Sequence, residues 1–318
     1  MLKPFRLFLL LAIVLAGVAC HHQGKPLPAG FSTAWPQRTL QQARVLIDHT
    51  WLDEKGVQHM DHVIFDEVMD MIRQAERLIV VDMFLFNHSG GGEAMRPLSR
   101  ELTEALLARK AAVPDIDILV ITDPFNTFYG GLRSPWFEQL RAAGIPVLET
   151  PLTPLRDSNP LWSTPWRLCC QWLGNDPDGG WLPNPISDDP VPLRSYLALL
   201  NFKANHRKVL VVDHGDDLRG LVSSGNPHDG SSRHNNVALV FEGAMARDLL
   251  RSELAIADLA GVRPHLDAEG ASGDQTATEE GAVMGRIVTE GKIGDAALAM
   301  VDSAGPGDHL ELAMFYLS

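Results

Sequence analysis

The sequence predicts an α/β protein in which a sheet is layered between helices. Three observations support this class. Short apolar runs of strand type recur along the chain, they alternate with segments of helical periodicity, and charged or turn residues bound them. The chain has 318 residues, of which 45 % are hydrophobic, and this is enough for one large core or two smaller ones.

The elements before residue 150 follow from this periodicity. We expect strands at 44–48, 78–86, 116–122 and 145–148, and helices at 63–74, 93–110 and 136–143. Gly144, directly after the last of these helices, is typical of a helix C-cap. Strands and helices that alternate in this way form layered sheets, and such sheets bind ligands at strand ends.

Residues 151–200 interrupt the alternation. They are rich in proline and tryptophan and poor in periodicity, which indicates an insertion near the entrance of the site, with short helices around 160–173 and 192–200. Tryptophan beside arginine is typical of a lipid–water interface. The alternative is that the tryptophans pack a small core of the insertion itself. They are Trp162, Trp166, Trp172 and Trp181.

The residues that best indicate chemistry lie between 206 and 226. The apolar run Val209–Val212 predicts a buried strand, and side chains two residues apart on a strand share a face, so His206 and Lys208 point the same way. A histidine can act as nucleophile or proton carrier near neutral pH, and a lysine can hold a phosphate as a point charge. Hydroxyl and amide groups on the turn 223–226 can donate to the same oxyanion.

Together these residues resemble the HxK(x)4D motif of the phospholipase D superfamily, with His206, Lys208 and Asp213 at the matching positions. The turn Ser223-Ser224-Gly225-Asn226 is similar to the Gly-Ser-x-Asn element of that family, with Ser223 in place of the glycine. The flanking segments 75–87 and 235–243 are similar to the family's strands. The resemblance covers roughly residues 40–318 and implies a phospholipase D-like α/β/α sandwich.

The resemblance also implies an activity. It is that of a phosphodiesterase or phosphatidyltransferase which works through a phosphohistidine and needs no cofactor and no metal. His206 would be the nucleophile or its acid partner, and Lys208 would neutralise phosphate oxygens. Ser224 and Asn226 would donate to these oxygens, and Asp213 would orient a histidine. A phospholipid is the expected substrate, in the manner of cardiolipin synthases. A periplasmic nuclease and a non-catalytic lipid-binding or scaffold protein are the alternatives.

The superfamily builds its site from two such motifs, and the His-x-Lys triplet occurs here once. Segments 65–87 and 293–318 resemble each other as helix, turn and apolar strand, which indicates an internal repeat. We therefore expect a first half at 40–265, an acidic linker at 266–282 and the start of a second half at 283–318, in a truncated chain. A homodimer that supplies the second motif is the alternative. The chain alone is expected to be inactive as a monomer.

The N-terminus predicts a secretory signal peptide at residues 1–19. Lys3 and Arg6 precede the apolar run Leu7–Ala16, which is too short for a comfortable membrane span. Residues 17–20 resemble a bacterial lipobox, so Cys20 is expected to carry lipid. An ordinary signal peptide with an incidental cysteine is the alternative. Residues 20–39 then form a tether in a periplasm-facing lipoprotein, at the outer membrane rather than the inner one.

Charge and cysteine content support further expectations. The chain has a net charge of −13 and lacks the overall basic stripe that is typical of nucleic-acid binders, so a membrane is the expected partner and nucleic acid is disfavoured. Cys169 and Cys170 are adjacent. We expect two buried thiols, because a bridge between neighbours closes a strained ring.

Overall fold

A computed structural model describes residues 2–88, 95–262 and 282–311 of the protein. Its strands are β1 (Arg38–Thr39), β2 (Gln41–Ile47), β3 (His49–Leu52), β4 (Gln58–Asp61), β5 (Leu78–Met83), β6 (Asp117–Thr122), β7 (Val147–Glu149), β8 (Lys208–His214), β9 (Asp217–Ser223), β10 (Val237–Glu242) and β11 (Met284–Gly285). Its α-helices are α1 (Leu2–Gly24), α2 (Val63–Gln74), α3 (Leu98–Ala112), α4 (Pro135–Ala142), α5 (Pro160–Cys169), α6 (Leu193–Leu199), α7 (Ala244–Leu259) and α8 (Gly291–Ser303).

Seven strands form the central sheet in the order β2-β10-β9-β8-β5-β6-β7. Strands β5, β6 and β7 are parallel, whereas β8 is antiparallel to β5 and to β9. All six residues of β5 are buried, as a strand covered on both faces requires. This topology brings the start of β8 to the carboxyl ends of the three parallel strands.

Two hydrophobic cores cover the two faces of the sheet. On one face, α2, α3 and α4 pack their apolar sides, including Phe65, Leu102 and Phe137, against Val81 and Leu210. On the other face, α7 packs against the alternate residues of the same strands. The predicted α/β class and its three-layer α/β/α arrangement are confirmed.

Most predicted elements are present, with shifted ends. Helix α2 has the predicted bounds, and Ala75 ends it with an extended backbone. Strand β5 ends at Met83 instead of residue 86, because Asn126 bonds the backbone of Phe84 and Phe86 outside the sheet. Strand β9 and helix α7 were not among the predicted elements.

The insertion contains both of the short helices predicted for it, now α5 and α6. A small third core, formed by Phe128, Leu132, Ile186 and Val191, joins the insertion to the loop after β6. The structure differs from the expectation at the cysteines, because Cys169 and Cys170 form a disulfide and Cys169 is exposed. Adjacency therefore does not keep these sulfurs apart at the end of α5.

The N-terminal segment also departs from the expectation. Helix α1 continues past the apolar run, so the 20 residues Phe5–Gly24 are long and apolar enough to cross a membrane, by length and composition only. A signal sequence meets the same criteria. The expected tether is helical to Gly24 and then packs on the domain, where Phe31 is only 2 % exposed. Because Phe31 is apolar, its burial in the core beside α7 stabilises the packing of this segment on the domain.

The segment after the expected linker joins the same unit. Strand β11 pairs with β1, and Ile287 is buried in the core beside α7. The helix predicted after residue 293 is present as α8, which has no buried residue. The expected linker up to residue 281 and the expected strand around Met314–Leu317 lie outside the described residues.

Candidate active site

His206 and Lys208 lie at the start of β8, where the parallel strands have their carboxyl ends. Lys208 pairs in register with Met83 at the end of β5. Ser224 directly follows β9 and therefore lies at the same edge of the sheet. A sheet edge of this kind is where α/β proteins bind ligands.

The lysine and the histidine contact each other. Lys208 Nζ lies 3.3 Å from His206 Nδ1 and donates to the His206 carbonyl oxygen at 3.1 Å. The Phe84 ring packs on both, with its centroid 4.4 Å from the imidazole centroid and 5.1 Å from Nζ. Because an ammonium group can only donate, a neutral His206 accepts at Nδ1 and carries its proton on Nε2.

Partial burial shifts the pKa of both groups. Desolvation, helped by the Lys208 charge, lowers the pKa of His206 below its usual value. Burial lowers the pKa of Lys208 to about 8, against the opposing attraction of Asp82. The imidazole is thus neutral and the ammonium largely charged near pH 7, which suits a nucleophile beside a phosphate-binding cation.

The turn after β9 supplies the two predicted phosphate donors. The Ser224 hydroxyl donates to Asn236 Oδ1 at 3.1 Å and accepts from Val237 N at 3.0 Å, so it also closes the turn onto β10. Asn226 Oδ1 accepts from Leu85 N at 3.0 Å, which leaves its amide nitrogen as the donating group. Phosphate binding by Ser224 and Asn226 stays a prediction.

Asp213 lies away from the other two predicted catalytic residues. This residue lies at the far end of β8, five positions beyond Lys208 and thus roughly 16 Å along the strand. Its carboxylate accepts from the backbone nitrogens of Glu76, Arg77 and Leu78 at 2.8–3.2 Å. Asp213 therefore holds the turn between α2 and β5 and lies far from His206, so orientation of a histidine from a second motif stays a prediction.

A buried polar network behind the site was not among the predicted site residues. Asn205, which precedes the histidine, donates from its side chain to both oxygens of Asp82 at 2.8–2.9 Å, and its backbone nitrogen donates to Asp123 Oδ2 at 2.7 Å. Burial raises the pKa of Asp123 to about 7. Signals for this network existed, because Asp82 is the one charged residue in the apolar run 78–83 and Asp123 directly follows a strand.

A carboxyl pair belongs to the same network. Burial first, and then the charge of Glu253, raise the pKa of Asp82 well above its usual value. This environment disfavours the ionised form of Asp82. Arg207, between the histidine and the lysine, binds Glu253 Oε1 at 3.1 Å and the carbonyl of Ser252. The network fixes the backbone on both sides of His206.

A cavity of about 800 Å³ opens at this edge of the sheet. It is lined by His206, Lys208 and Ser224, together with apolar side chains that include Val222 and Val237. Asn226 and Asp213 are not among its lining residues. The arrangement offers one nucleophilic nitrogen, one cation and one hydroxyl to a ligand with an apolar part.

No protein-family model and no curated protein matches this chain. Among solved structures, the phospholipase D family member Nuc from Salmonella typhimurium is similar over 70 % of this chain and 99 % of its own, with 13 % identity and a TM-score of 0.38. NucT from Helicobacter pylori is similar over 67 % of this chain and 94 % of its own, with 11 % identity and a TM-score of 0.34. At these identities, function has to be inferred from the residues of the site.

Proposed function

We propose that this protein is a phospholipase D-like phosphodiesterase that acts through a phosphohistidine on His206. The observation that carries the proposal is the contact of Lys208 Nζ with His206 Nδ1, 3.3 Å, beside Ser224 in one cavity at the end of the sheet. A nucleophile, a phosphate-binding cation and a hydroxyl are the groups that such a reaction needs in one place.

The reaction would proceed in two displacements. Once Lys208 Nζ moves from His206 Nδ1 to a phosphate oxygen, Nδ1 attacks phosphorus, the bond to the leaving alkoxide oxygen breaks, and an acid protonates that oxygen. Water or a second alcohol then attacks the phosphohistidine, loses a proton to the same group and releases the imidazole. Lys208 neutralises non-bridging oxygens in both steps, so negative charge that builds up on phosphorus is stabilised.

The acid in this scheme would be a second histidine from another motif. We propose that it comes from a second copy of the chain or from a further half of a longer protein, because the His-x-Lys triplet occurs once in this sequence. A dimer-dependent activity should rise steeper than linearly with protein concentration. A linear rise in a protein that stays monomeric in light scattering would contradict this requirement.

A phospholipid is the substrate that the surface of the insertion favours. Its exposed apolar side chains include Leu161 at 89 %, Leu168 at 69 % and Trp172 at 77 %. Helix α1, which contains Cys20, packs against α5, which carries Leu161 and Leu168. Exposed apolar groups beside a lipid-anchored segment are typical of a membrane-facing surface. We propose a lipid-anchored envelope protein that meets its substrate at this surface.

The tryptophans divide into two groups in the structure. Trp162 donates from Nε1 to the carbonyl of Leu197 at 2.8 Å and Trp166 packs under Arg194, so both help to hold the insertion together. Trp172 and Trp181 are exposed at 77 % and 67 %. The interfacial role expected for all four residues is therefore proposed only for the exposed pair.

Turnover by the wild type and by two histidine variants tests the proposal. We expect His206→Ala to lose at least a thousandfold on phosphatidylglycerol vesicles, because a nucleophile has no substitute in the site. His59→Ala is the matched control, since His59 lies in the β3–β4 hairpin and bonds Asp53. If the wild type and His59→Ala turn over, an equal rate for His206→Ala would disprove the role of His206. Degradation of DNA with vesicles untouched would replace phospholipid by nucleic acid.

A further inference from the structure

A second cavity lies between the insertion and the carboxyl ends of β6 and β7. It has a volume of about 380 Å³, and its lining includes Tyr129, Leu152, Trp166, Arg194 and Lys203. We call it the insertion cavity. The proposed reaction uses none of these residues.

The walls of the insertion cavity are held in place by several contacts. Asn175 Nδ2 donates to the Tyr129 carbonyl at 2.9 Å and to Ser195 Oγ at 2.8 Å, which ties α6 to the loop after β6. Gly131 permits this approach, because a Cβ at that position would lie 2.1 Å from Ser195 Oγ. The cavity is therefore a formed feature of the fold.

Positive charge is in excess around this cavity. Lys203 Nζ and Arg167 Nη1 share the single carboxylate of Asp157, at 2.9 and 2.8 Å. Burial, together with the charges of Lys203 and Arg167, lowers the pKa of the neighbouring Lys25. Glu149 on another wall is engaged by Arg141 and by the hydroxyl of Thr127. Lys203, Arg167 and Lys25 are thus three partly buried cations, and they need more negative charge than the single carboxylate of Asp157 supplies.

Arg194 is a further cation at the wall of the insertion cavity. Its guanidinium stacks over the Trp166 ring at 5.2 Å, and Nη2 donates to the Gln171 carbonyl at 3.2 Å. Within the described residues, no carboxylate pairs with it, and its buried Nε has no hydrogen-bond partner. Burial lowers its pKa, yet a guanidinium stays charged at neutral pH, so an anion in the cavity would supply the partner that the described residues do not.

A row of rings leads from the catalytic histidine to the insertion cavity. Successive ring centroids lie 4.4 Å apart for His206 and Phe84, 6.3 Å for Phe84 and Phe125, and 6.4 Å for Phe125 and Tyr129. Tyr129 lines the insertion cavity. An anion bound there would thus be separated from the phosphate site by this row of rings.

We propose that the insertion cavity binds a phosphate ester through Arg194, as a second phosphate site beside the one formed by His206 and Lys208. The planar guanidinium can form bidentate hydrogen bonds with two phosphate oxygens. A phosphate monoester dianion would balance the excess positive charge of Arg194 and its neighbours. The ester could be a soluble molecule or a lipid headgroup. Binding at this cavity does not need His206, so the inference goes beyond the proposed reaction.

Calorimetric titration of the full chain with glycerol 3-phosphate tests this site. The background variant is Lys208→Gln, which removes the cation of the other phosphate site. We expect this variant to bind glycerol 3-phosphate and not glycerol. Adding Arg194→Gln should weaken the binding at least tenfold, whereas adding Arg156→Gln should not, since Arg156 is exposed and donates to the Lys25 carbonyl. Equal affinities with and without Arg194 would overturn the proposal.

A second substitution at Arg194 and a membrane-bound ligand complete the test. Arg194→Lys keeps the charge above Trp166 and loses the fork, so several-fold weaker binding by a protein with unchanged circular dichroism is expected. Undiminished binding would overturn the proposal even if Arg194→Gln fails to fold. Nanodiscs with phosphatidic acid, compared with phosphatidylcholine alone, show whether the bound ester is a headgroup. Because Lys208→Gln is the background throughout, failure of the proposed reaction would leave these results interpretable.

Discussion

Replacing Asp213 should cost stability and spare the chemistry. Asp213→Ala leaves the backbone nitrogens of Glu76, Arg77 and Leu78 without their acceptor. Hydrogen bonds to a charged group contribute about 1.5–3 kcal/mol each, and their sum is less than additive, so we expect a loss of about 3–5 kcal/mol. Asp213→Asn keeps one oxygen acceptor and should lose about 1–2 kcal/mol.

Urea unfolding followed by tryptophan fluorescence measures this loss. With a slope of about 3 kcal/mol/M, Asp213→Ala should lower the midpoint by about 1–2 M. Asp216→Ala, on the exposed turn that follows, is the control and should stay within about 0.5 kcal/mol of the wild type. An unchanged midpoint for Asp213→Ala combined with lost turnover at low temperature would refute the structural role and return Asp213 to the active site.

Three further predictions concern the cation, the membrane surface and the anchor. The affinity for diethyl phosphate, which is a monoanion over the whole pH range tested, should fall as pH rises through about 8, because the Lys208 ammonium is charged below its pKa and neutral above it. Lys208→Arg should remove this fall. If the fall persists in that variant, a group other than Lys208 causes it. Leu168→Ser combined with Trp172→Ser should reduce vesicle partitioning at least tenfold, since each apolar side chain buried in the membrane contributes about 1.5–3 kcal/mol. The control Leu52→Ser, at a similar exposure of 67 %, should not reduce it. Equal losses for the double variant and the control would exclude the insertion as the membrane surface. Exposed Cys20 should incorporate a clickable palmitate in a Gram-negative host, and label that persists in Cys20→Ser would exclude lipidation there.

The sequence was most informative where one periodicity dominates. Helix α2 and strand β6 carry regular apolar patterns, and the structure places them within a residue of the expected bounds. Strand β9 was missed because arginine and glycine interrupt its apolar residues. In the sheet it is stabilised by pairing with β8 and β10, which no local pattern records.

The candidate site shows the same division. The strand periodicity places His206 and Lys208 together, and their contact confirms it. Asp213 was assigned to the site by its spacing in the motif. The two ends of a strand lie far apart, however, and only the sheet topology shows which end lies at the ligand cavity. The pairing of Asp82 with Glu253 joins β5 to α7 across a long separation in the chain, so sequence reasoning had no means to find it.

The most direct test of the proposed chemistry is to locate the covalent phosphate. We would mix the chain with bis-p-nitrophenyl phosphate, whose leaving group needs no acid, quench it rapidly and map the adduct by mass spectrometry under alkaline conditions, which preserve phosphohistidine. We predict a burst of nitrophenolate of up to one equivalent, a p-nitrophenylphosphoryl group bound to a ring nitrogen of His206, and neither of these in His206→Ala. A folded wild-type chain with no adduct, or an adduct that persists in His206→Ala, would contradict the proposed function.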